Sequence, residues 1–391
     1  MENNIELTRL NAGDFEEAMD FLNLVFSMAH VPHDFARMLP IIYRPTEEHM
    51  KCNYAVKEQG KIRGIVGVVP AEMKVGKHVL KVGGIGGVSA HPADKGKGWM
   101  KLLMGKALEE MRASGTDLSW LGGLRQRYQY FGYEKTGVMF DAVISETNMR
   151  HAFGNAEMTL KMAAVKESDG EYLDKAKELY DQQPIRCERS REDFWLFLTA
   201  VFTTPWVALD AAGNVVGYMV VNHEKNTINE IFAENDDILI QMLRVWMEQE
   251  KRETVNVKLA PWQKSAIQKV SLIAETFYWN HSGNFQIFNW EKVVGSFLEM
   301  KNEKSTLLDG TLCLEVKEYG TLHIEVNKGE IRCRKTEEKA DLVLDEFTAC
   351  RVLFGHCPMH YVTDVQLNTE KRILLENWFP LPLCWLIQNH V

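Results

Sequence analysis

One segment constrains the fold of this chain more than any other: residues 83–104, where a glycine-rich strand runs into a short loop and then into a helix. Apolar residues at helical spacing predict that helix from Trp99 to Ala113. The loop Lys95-Gly96-Lys97-Gly98 stands at its N-terminal end, where orphan N–H groups and the helix dipole attract anions. Its glycines let the backbone approach phosphate oxygens, and its lysines add positive charge. The segment therefore predicts a strand–loop–helix unit that can hold a pyrophosphate, with a solvated surface loop as the alternative.

The order of the predicted elements indicates an α/β fold in several units. The N-terminal part alternates between helices such as Phe15–Phe26 and strands such as Leu118–Leu121, with one parallel crossover. At 391 residues the chain exceeds one ordinary core. We predict three domains: residues 1–155, residues 156–290, which repeat the strand-then-helix order, and residues 291–391, which contain an antiparallel meander.

Composition restricts the partners and the compartment. Lys and Arg number 45 against 54 Asp and Glu, a net charge of −9 that disfavours nucleic acid as a partner. No apolar run reaches the ~18–20 residues needed to span a bilayer, and the first residues lack the regions of a signal peptide. The seven cysteines are an odd number and widely scattered. We therefore expect a cytoplasmic protein with free thiols that contacts neither nucleic acid nor membrane.

A second motif lies downstream of the predicted strand Leu118–Leu121 and reads Tyr128-x-x-Phe131-Gly132-Tyr133. Together with the glycine–lysine loop, it resembles the Gcn5-related N-acetyltransferases, the GNAT family. The phosphate loop of that family has the pattern Arg/Gln-x-x-Gly-x-Gly/Ala after a Val-x-Val strand. Here Lys95 takes the place of Arg or Gln, and Met100 takes the place of the small final residue.

The resemblance implies acetyl-CoA as the co-substrate and assigns it a binding surface. The loop and first helical turn would meet the pyrophosphate through backbone N–H groups. The preceding strand end would bind the pantetheine arm and polarise the thioester oxygen, and the segment after the next strand would line the cofactor's outer edge. In this sequence the implied positions are Lys95, Gly96, Lys97, Gly98, Trp99, Met100 and Lys101 for the pyrophosphate, Val88, Ser89 and Ala90 for the pantetheine, and Gly123 and Leu124 for the outer edge.

Over its full length the chain is similar to the enhanced-intracellular-survival (Eis) type of acetyltransferase. That type implies tandem GNAT folds, the second one degenerate, followed by a sterol-carrier-protein-like α+β domain. The second unit lacks a glycine–basic loop, and its acidic segment Ala233–Asp237 would repel phosphate, so we expect no second cofactor site. Related proteins also suggest a homo-oligomer, with a hexamer as its arrangement.

Acetyl transfer from a thioester to an amine needs an acid for the departing thiolate and a base for the attacking amine. Tyr128 matches the tyrosine with the acid role in the family; a Tyr hydroxyl (pKa about 10) can protonate a thiolate whose thiol has a pKa of about 8.5. The Eis type places the chain's own terminal carboxylate in the active site, and here that group belongs to Val391. The apolar tail Trp378–Ile387, unusual for a terminus, would deliver it. Plain packing roles for Tyr128 and for the tail are the alternatives.

We therefore predict an acetyl-CoA-dependent N-acetyltransferase in which a primary amine attacks directly within a ternary complex. The rival hypothesis is a binding protein that carries an apolar ligand in its C-terminal domain and retains a vestigial phosphate loop. The sequence leaves the amine open among an aminoglycoside, a polyamine, a lysine side chain and a peptide amine.

A metal site is not predicted. The short pattern Cys350-x6-Cys357-x2-His360 has no fourth ligand at the spacing of a zinc site. We expect these cysteines to be free thiols in the core instead.

Overall fold

The structure, a computed structural model, describes residues 5–29, 31–154 and 158–391. The described strands form three sheets with helices packed around them, so the predicted mixed α/β class is confirmed. The strands are β1 (Ile5–Arg9), β2 (Asn53–Glu58), β3 (Lys61–Val75), β4 (His78–Ala90), β5 (Leu118–Leu121), β6 (Glu134–Thr136), β7 (Met139–Ser145), β8 (Lys161–Ala164), β9 (Ile185–Cys187), β10 (Thr204–Leu209), β11 (Val215–Val221), β12 (Thr227–Ala233), β13 (Thr254–Leu259), β14 (Thr276–Asn280), β15 (Gly283–Ile287), β16 (Gly310–Val316), β17 (Gly320–Asn327), β18 (Glu330–Thr336) and β19 (Leu342–Leu344).

The helices connect these strands and cover their faces. None of those in the described part of the chain combines the length and the apolar character needed to cross a bilayer. They are α1 (Phe15–Ala29), α2 (Phe35–Met38), α3 (Glu47–Met50), α4 (Trp99–Ala113), α5 (Arg125–Tyr128), α6 (Glu146–Phe153), α7 (Gly170–Asp181), α8 (Phe194–Thr199), α9 (Asp236–Gln249), α10 (Lys264–Ile273), α11 (Trp290–Lys304), α12 (Glu346–Phe354) and α13 (Thr369–Trp378).

The first sheet has the order β1-β2-β3-β4-β5-β15-β6, with β9 paired to the far end of β3. Alternation along β2 puts Ala55 into a core beneath α1 and Tyr54 and Val56 into a core beneath α4, because successive strand residues face opposite sides of a sheet. The α4 crossover makes β4 and β5 parallel. Their pairing ends at Ile85 and Leu121, while β4 continues to Ala90, so the two strands part beyond that point.

The second sheet has the order β14-β7-β13-β12-β11-β10-β8, and three strands cross the domain boundaries predicted from the sequence. Strand β9 lies within residues 156–290 but pairs with β3 in the first sheet. Strand β7 lies within residues 1–155 but pairs with β13 and β14 in the second sheet. Strand β15 lies within residues 156–290 but pairs with β5 and β6 in the first sheet. The boundary between residues 155 and 156 itself lies outside the described residues. The two N-terminal units therefore exchange strands, and the three sequence ranges stay a proposal.

The third sheet has the order β18-β17-β16-β19 and contains the predicted antiparallel meander, with β19 added parallel to β16. Helix α11 leads into it and shares one hydrophobic core with the first sheet. In that core Trp120 of β5 lies in the same cluster as Leu314 of β16 and Phe297 of α11. The C-terminal unit is thus packed against the sheet that precedes the predicted phosphate loop.

The apolar tail is buried, as the sequence predicts, and it lies between two cores. Leu381, Leu383 and Trp385 join the core shared by the first and third sheets, whereas Cys384 and Leu386 join a core of the second unit. This alternation is that of an extended segment, whose successive side chains point in opposite directions. The tail therefore connects all three units before it reaches the last residue.

Candidate active site

The loop before α4 has the backbone that a phosphate cradle requires. Gly96 and Gly98 have φ of +92° and +82°, values that favour glycine, and a Cβ at either position would meet nothing within 4 Å. Gly98 caps α4, and no side chain caps the N–H groups of the first turn. These amides are free to bind an anion, with Trp99, Met100 and Lys101 on the first turn.

Ion pairs behind the loop hold it in place. Asp94 is buried and accepts two hydrogen bonds from Arg63, at 2.6 and 2.8 Å. Lys97 lies 3.0 Å from Asp94 and 3.1 Å from Glu58. The Arg63 guanidinium holds the pKa of the Asp94 carboxyl well below its usual range. Lys97 therefore braces the loop from behind, and Lys95, which is exposed, carries the charge available to a ligand.

A β-bulge interrupts β4 next to this loop. Ile65 pairs with Ser89 and Gly67 with Gly86, so two residues of β4, Gly87 and Val88, face one residue of β3. Gly87 has φ of +59° and permits the bulge. A bulge interrupts the regular hydrogen bonds between two strands. Backbone groups near Val88 and Ala90 can therefore bind a ligand instead of a neighbouring strand.

Tyr128 lies beside the point at which β4 and β5 separate. Its ring covers Gly123, where a Cβ would stand 2.8 Å from Cε2 of the ring, and only 6% of Tyr128 is exposed. It packs in the α4-side core with Ile85 and Leu121, the residues at which β4 and β5 separate. Burial raises the pKa of the Tyr128 hydroxyl, so it is protonated at neutral pH. The exposed Leu124 completes this edge.

The last residue of the chain reaches β4 at its glycines. A Cβ on Gly86 would stand 2.7 Å from the carboxyl carbon of Val391, and one on Gly84 would stand 2.8 Å from Cγ2 of Val391. The strand accommodates the terminus only because glycine leaves this space open. The carboxyl group is thereby placed one residue from the bulge at Gly87 and Val88, so the structure brings Val391 together with the predicted pantetheine-binding strand end.

Buried polar contacts anchor the residues just before the terminus. Asn389 accepts a hydrogen bond from Nε of Arg189 at 2.9 Å through its side chain, and one from the indole of Trp385 at 3.0 Å through its backbone carbonyl. Gln388 donates to the carbonyl of Phe197 at 2.9 Å and lies 3.1 Å from Oγ1 of Thr203. The terminus is thus held by named hydrogen bonds as well as by apolar packing.

Arg189 is fully buried and paired. Its two terminal nitrogens donate to both carboxylate oxygens of Glu230 at 2.9 and 2.8 Å, and the Tyr218 hydroxyl donates to the same carboxylate at 2.7 Å. The guanidinium also lies 4.0 Å from the ring centroid of Tyr180. Sequence reasoning missed these residues, because their positions in the chain are far apart and no motif connects them. A bidentate pair leaves the third nitrogen of Arg189 for Asn389.

Aromatic stacking orients the penultimate residue. The His390 ring lies 4.7 Å from the Trp120 ring, and Trp385 stacks on the same indole at 5.2 Å and 15°. Burial, with a contribution from Lys258, lowers the pKa of His390 to about 4. His390 is therefore neutral at neutral pH and adds no charge beside Val391.

A cavity of about 290 Å³ opens beside the terminus. Its polar groups include the carboxylates of Glu48 and Glu188, two residues that sequence reasoning missed, and the imidazole of His49. Burial, followed by the charge of Arg44, lowers the pKa of His49 and favours its neutral form. Glu188 is paired with Lys74 at 2.7 Å, so Glu48 is the lining carboxylate whose charge is available to a cationic compound. The lining residues are Ile41, Ile42, Glu48, His49, Cys52, Val69, Pro70, Ala71, Cys187, Glu188, Phe197, Trp385, Asn389, His390 and Val391.

Known proteins share this architecture. The family model of the acetyltransferase (GNAT) domain matches residues 6–136, and no curated protein matches the chain. A probable N-acyltransferase of Enterococcus faecalis is similar over 97% of this chain and 98% of its own, with a TM-score of 0.71 and 14% identity. A GCN5-related N-acetyltransferase of Kribbella flavida is similar over 100% and 99%, with a TM-score of 0.70 and 15% identity.

Eis1 of Mycobacterium abscessus is similar over 99% of this chain and 100% of its own, with a TM-score of 0.68 and 12% identity. At these identities the structural matches show a shared fold. The family model adds the identity of the domain that contains the predicted phosphate loop, the bulge and Tyr128. Residues 6–136 therefore match the acetyltransferase (GNAT) domain, as the sequence predicts.

Proposed function

We propose that the chain is an acetyl-CoA-dependent N-acetyltransferase that acts on a primary amine by direct attack in a ternary complex. The observation that carries this proposal is the position of the Val391 carboxyl group, packed against Gly86 beside the bulge of β4. Acetyl transfer to an ammonium needs a base, and the position of the terminus next to the predicted pantetheine-binding strand end supports Val391 in this role.

The predicted cofactor positions fit acetyl-CoA. Gly96 and Gly98 leave the N-terminal amides of α4 open to a pyrophosphate, and the parting of β4 and β5 leaves room for the pantetheine arm. The bound cofactor supplies the activated thioester. Val88, Ser89 and Ala90 would meet its arm, while Gly123 and Leu124 would line its outer edge.

Val391 and Tyr128 would share the proton transfers. The Val391 carboxylate accepts the proton of the substrate ammonium, which makes the nitrogen nucleophilic. The Tyr128 hydroxyl, kept protonated by burial, donates to the thiolate as it leaves. No covalent enzyme intermediate is required, because the amine attacks the thioester carbon directly.

The cavity beside Val391 suggests the class of amine. Glu48 places negative charge at its wall, and the neutral forms of His49 and His390 do not cancel it, whereas Glu188 is already paired with Lys74. We propose a cationic amine as the substrate, a class that includes aminoglycosides, polyamines, lysine side chains and peptide amines.

We also propose three further features of the protein. The C-terminal unit would be a sterol-carrier-protein-like domain, the chain would form a homo-oligomer such as a hexamer, and the protein would act in the cytoplasm. The rival function, a binding protein with a vestigial loop, has no observation in its favour.

Thermal unfolding with and without acetyl-CoA tests the cofactor proposal. Wild type should be stabilised, since a ligand that binds only the folded state raises its stability. Gly98→Leu should remove the effect, whereas Gly213→Leu is the matched control, because Gly213 has a similar φ of +89° and open surroundings in the second unit. Equal stabilisation of Gly98→Leu and Gly213→Leu would contradict the phosphate-loop assignment. A panel of amines assayed by thiol release then identifies the substrate.

A further inference from the structure

A cysteine, a histidine and a glutamate converge on the outer face of the third sheet. Cys313 on β16 and His323 on β17 are direct cross-strand partners. Their neighbours Leu312, Leu314 and Leu322 point into the core, so Cys313 and His323 face the other side of the sheet. Glu338, in the connection from β18 to β19, folds back over them.

The spacing of the three ligand atoms matches a tetrahedral zinc ion. Sγ of Cys313 lies 3.7 Å from Nδ1 of His323 and 3.7 Å from Oε2 of Glu338, and Nδ1 lies 3.2 Å from Oε2. With zinc–sulfur bonds of about 2.3 Å and zinc–nitrogen or zinc–oxygen bonds of about 2.0–2.1 Å, tetrahedral angles separate the ligand atoms by about 3.3–3.6 Å. The three atoms therefore need to move by only a few tenths of an ångström.

Neighbouring groups orient these ligands. Thr336 and Arg334 hydrogen bond to Oε1 of Glu338, at 3.0 and 3.2 Å, which turns Oε2 toward Cys313. The backbone N–H of Cys313 donates to the Asp341 carboxylate at 2.8 Å. Outer partners of this kind fix the geometry of metal ligands.

We propose that Cys313, His323 and Glu338 form a zinc site whose fourth position is open to water. Thiolate, imidazole and carboxylate are the ligand types that zinc accepts, and among the described residues no fourth Cys, His or acidic side chain joins the cluster. Glu338 is half exposed, so solvent reaches the site from its side. Bound zinc would tie the β18–β19 connection to β16 and β17.

The charges around the site are compatible with a divalent cation. Arg334 and Lys371 are the nearby cations, and each already pairs with a carboxylate: Arg334 with Glu338 and Lys371 with Asp341. Zinc binding displaces the proton of the Cys313 thiol, which adds a negative ligand and balances the ion. The site lies in the C-terminal unit and does not depend on the proposed acetyl transfer.

Metal content tests the proposal on the full-length chain. After removal of metal with a chelator, wild type dialysed against Zn²⁺ should retain one tightly bound ion per chain. Cys313→Ser and His323→Gln should lose it, with an affinity loss beyond the about 10–100-fold typical of outer-shell changes. Cys357→Ser is the matched control, because Cys357 is an exposed thiol outside the cluster and should keep the ion.

A spectroscopic measurement keeps the test independent of folding and of enzymatic activity. Co²⁺ in place of Zn²⁺ should give a thiolate-to-cobalt charge-transfer band in wild type and in Cys357→Ser, and none in Cys313→Ser. Circular dichroism of each variant without metal checks that it is folded. Absence of bound zinc in folded wild type, equal binding by Cys313→Ser, or loss of binding only in Cys357→Ser would each overturn the proposal.

Discussion

The carboxyl carbon of Val391 stands 2.7 Å from the position that a β-carbon on Gly86 would occupy, so the last residue of the chain fills the space of a missing side chain. This contact joins the C-terminus to the central strand of the first sheet. It gives a physical reason for glycine at this position of β4. A side chain at that position, even a methyl group, would alter the position of the Val391 carboxyl group.

Gly86→Ala should displace the Val391 carboxyl group, because a methyl group and the carboxyl carbon cannot occupy positions 2.7 Å apart. We expect kcat to fall on the order of 10²-fold, the typical effect of a small misplacement of a reacting group, with acetyl-CoA binding retained. Gly105→Ala in α4 is the control, since a Cβ there meets nothing within 4 Å. It should keep full activity and gain up to about 1 kcal/mol of stability. Equal kcat for the two variants would show that the position of Val391 is unimportant.

A C-terminal extension should abolish turnover. It converts the Val391 carboxylate into an amide, which cannot accept the ammonium proton, so the substrate stays protonated. Deletion of residues 389–391 should act likewise, because it withdraws the terminus by several ångströms at ~3.3 Å per residue. Both variants should bind acetyl-CoA and recover some rate at high pH, where free amine accumulates. The same tag placed at the N-terminus serves as the control, and unchanged kcat in the extended chain would remove Val391 from the mechanism.

Arg189→Met should destabilise the fold and slow turnover together. It leaves the Glu230 carboxylate buried without its partner, a change that costs about 3–5 kcal/mol in the free energy of unfolding. The double variant Arg189→Met/Glu230→Gln should regain much of the stability but not the rate, because Asn389 still lacks its donor. Urea unfolding and steady-state kinetics separate the two effects.

Arg150→Met is the matched control for that experiment. Arg150 pairs with Glu146 on the exposed surface of α6, where an ion pair of this spacing contributes at most about 0.5 kcal/mol. If the double variant recovers full turnover along with its stability, Arg189 supports only the fold and does not position the terminus.

Tyr128→Phe should lower kcat by about 10²–10⁴-fold and leave acetyl-CoA affinity nearly unchanged, because it removes a proton donor and keeps the ring over Gly123. Tyr130→Phe is the control: Tyr130 is 66% exposed, and its ring contact with Lys101 survives loss of the hydroxyl. A Tyr128→Phe enzyme with the kcat of wild type would reduce Tyr128 to a packing residue.

The His390→Phe variant should lose less stability in acid than wild type does. Burial lowers the pKa of His390 to about 4 in the folded chain, against about 6.5 when unfolded. As the pH falls, His390 therefore binds a proton in the unfolded chain before it does so in the folded chain. The contribution of His390 to the free energy of unfolding is fully present above pH 6.5 and is lost as the pH falls toward 4. Phe keeps the stack on Trp120 without titrating. The pKa of His281 is also lowered to about 4, so the variant should keep part of the pH dependence of the unfolding free energy. Parallel slopes of unfolding free energy against pH would contradict the assignment.

Local elements followed from the sequence because their causes are local. Helical spacing predicted Trp99–Ala113 with the bounds that the structure has. The apolar character of Trp378–Ile387 required burial, and the tail is buried between two cores. The resemblance carried by the loop and the Tyr128 motif led to the GNAT domain that the family model matches.

Only the tertiary structure decided which strands pair and which polar groups meet. The backbone hydrogen bonds of a strand are the same for every residue type, so the sequence pattern does not say that β7 and β15 each join the other unit's sheet. The pair Arg189–Glu230 and the cluster around Cys313 unite residues that are distant in the chain, and only the packing of their elements brings them within bonding distance. The sequence by itself thus determined local elements such as the loop and the helix Trp99–Ala113. The fold determined which side chains meet, because such contacts depend on distances between residues that are far apart in the chain.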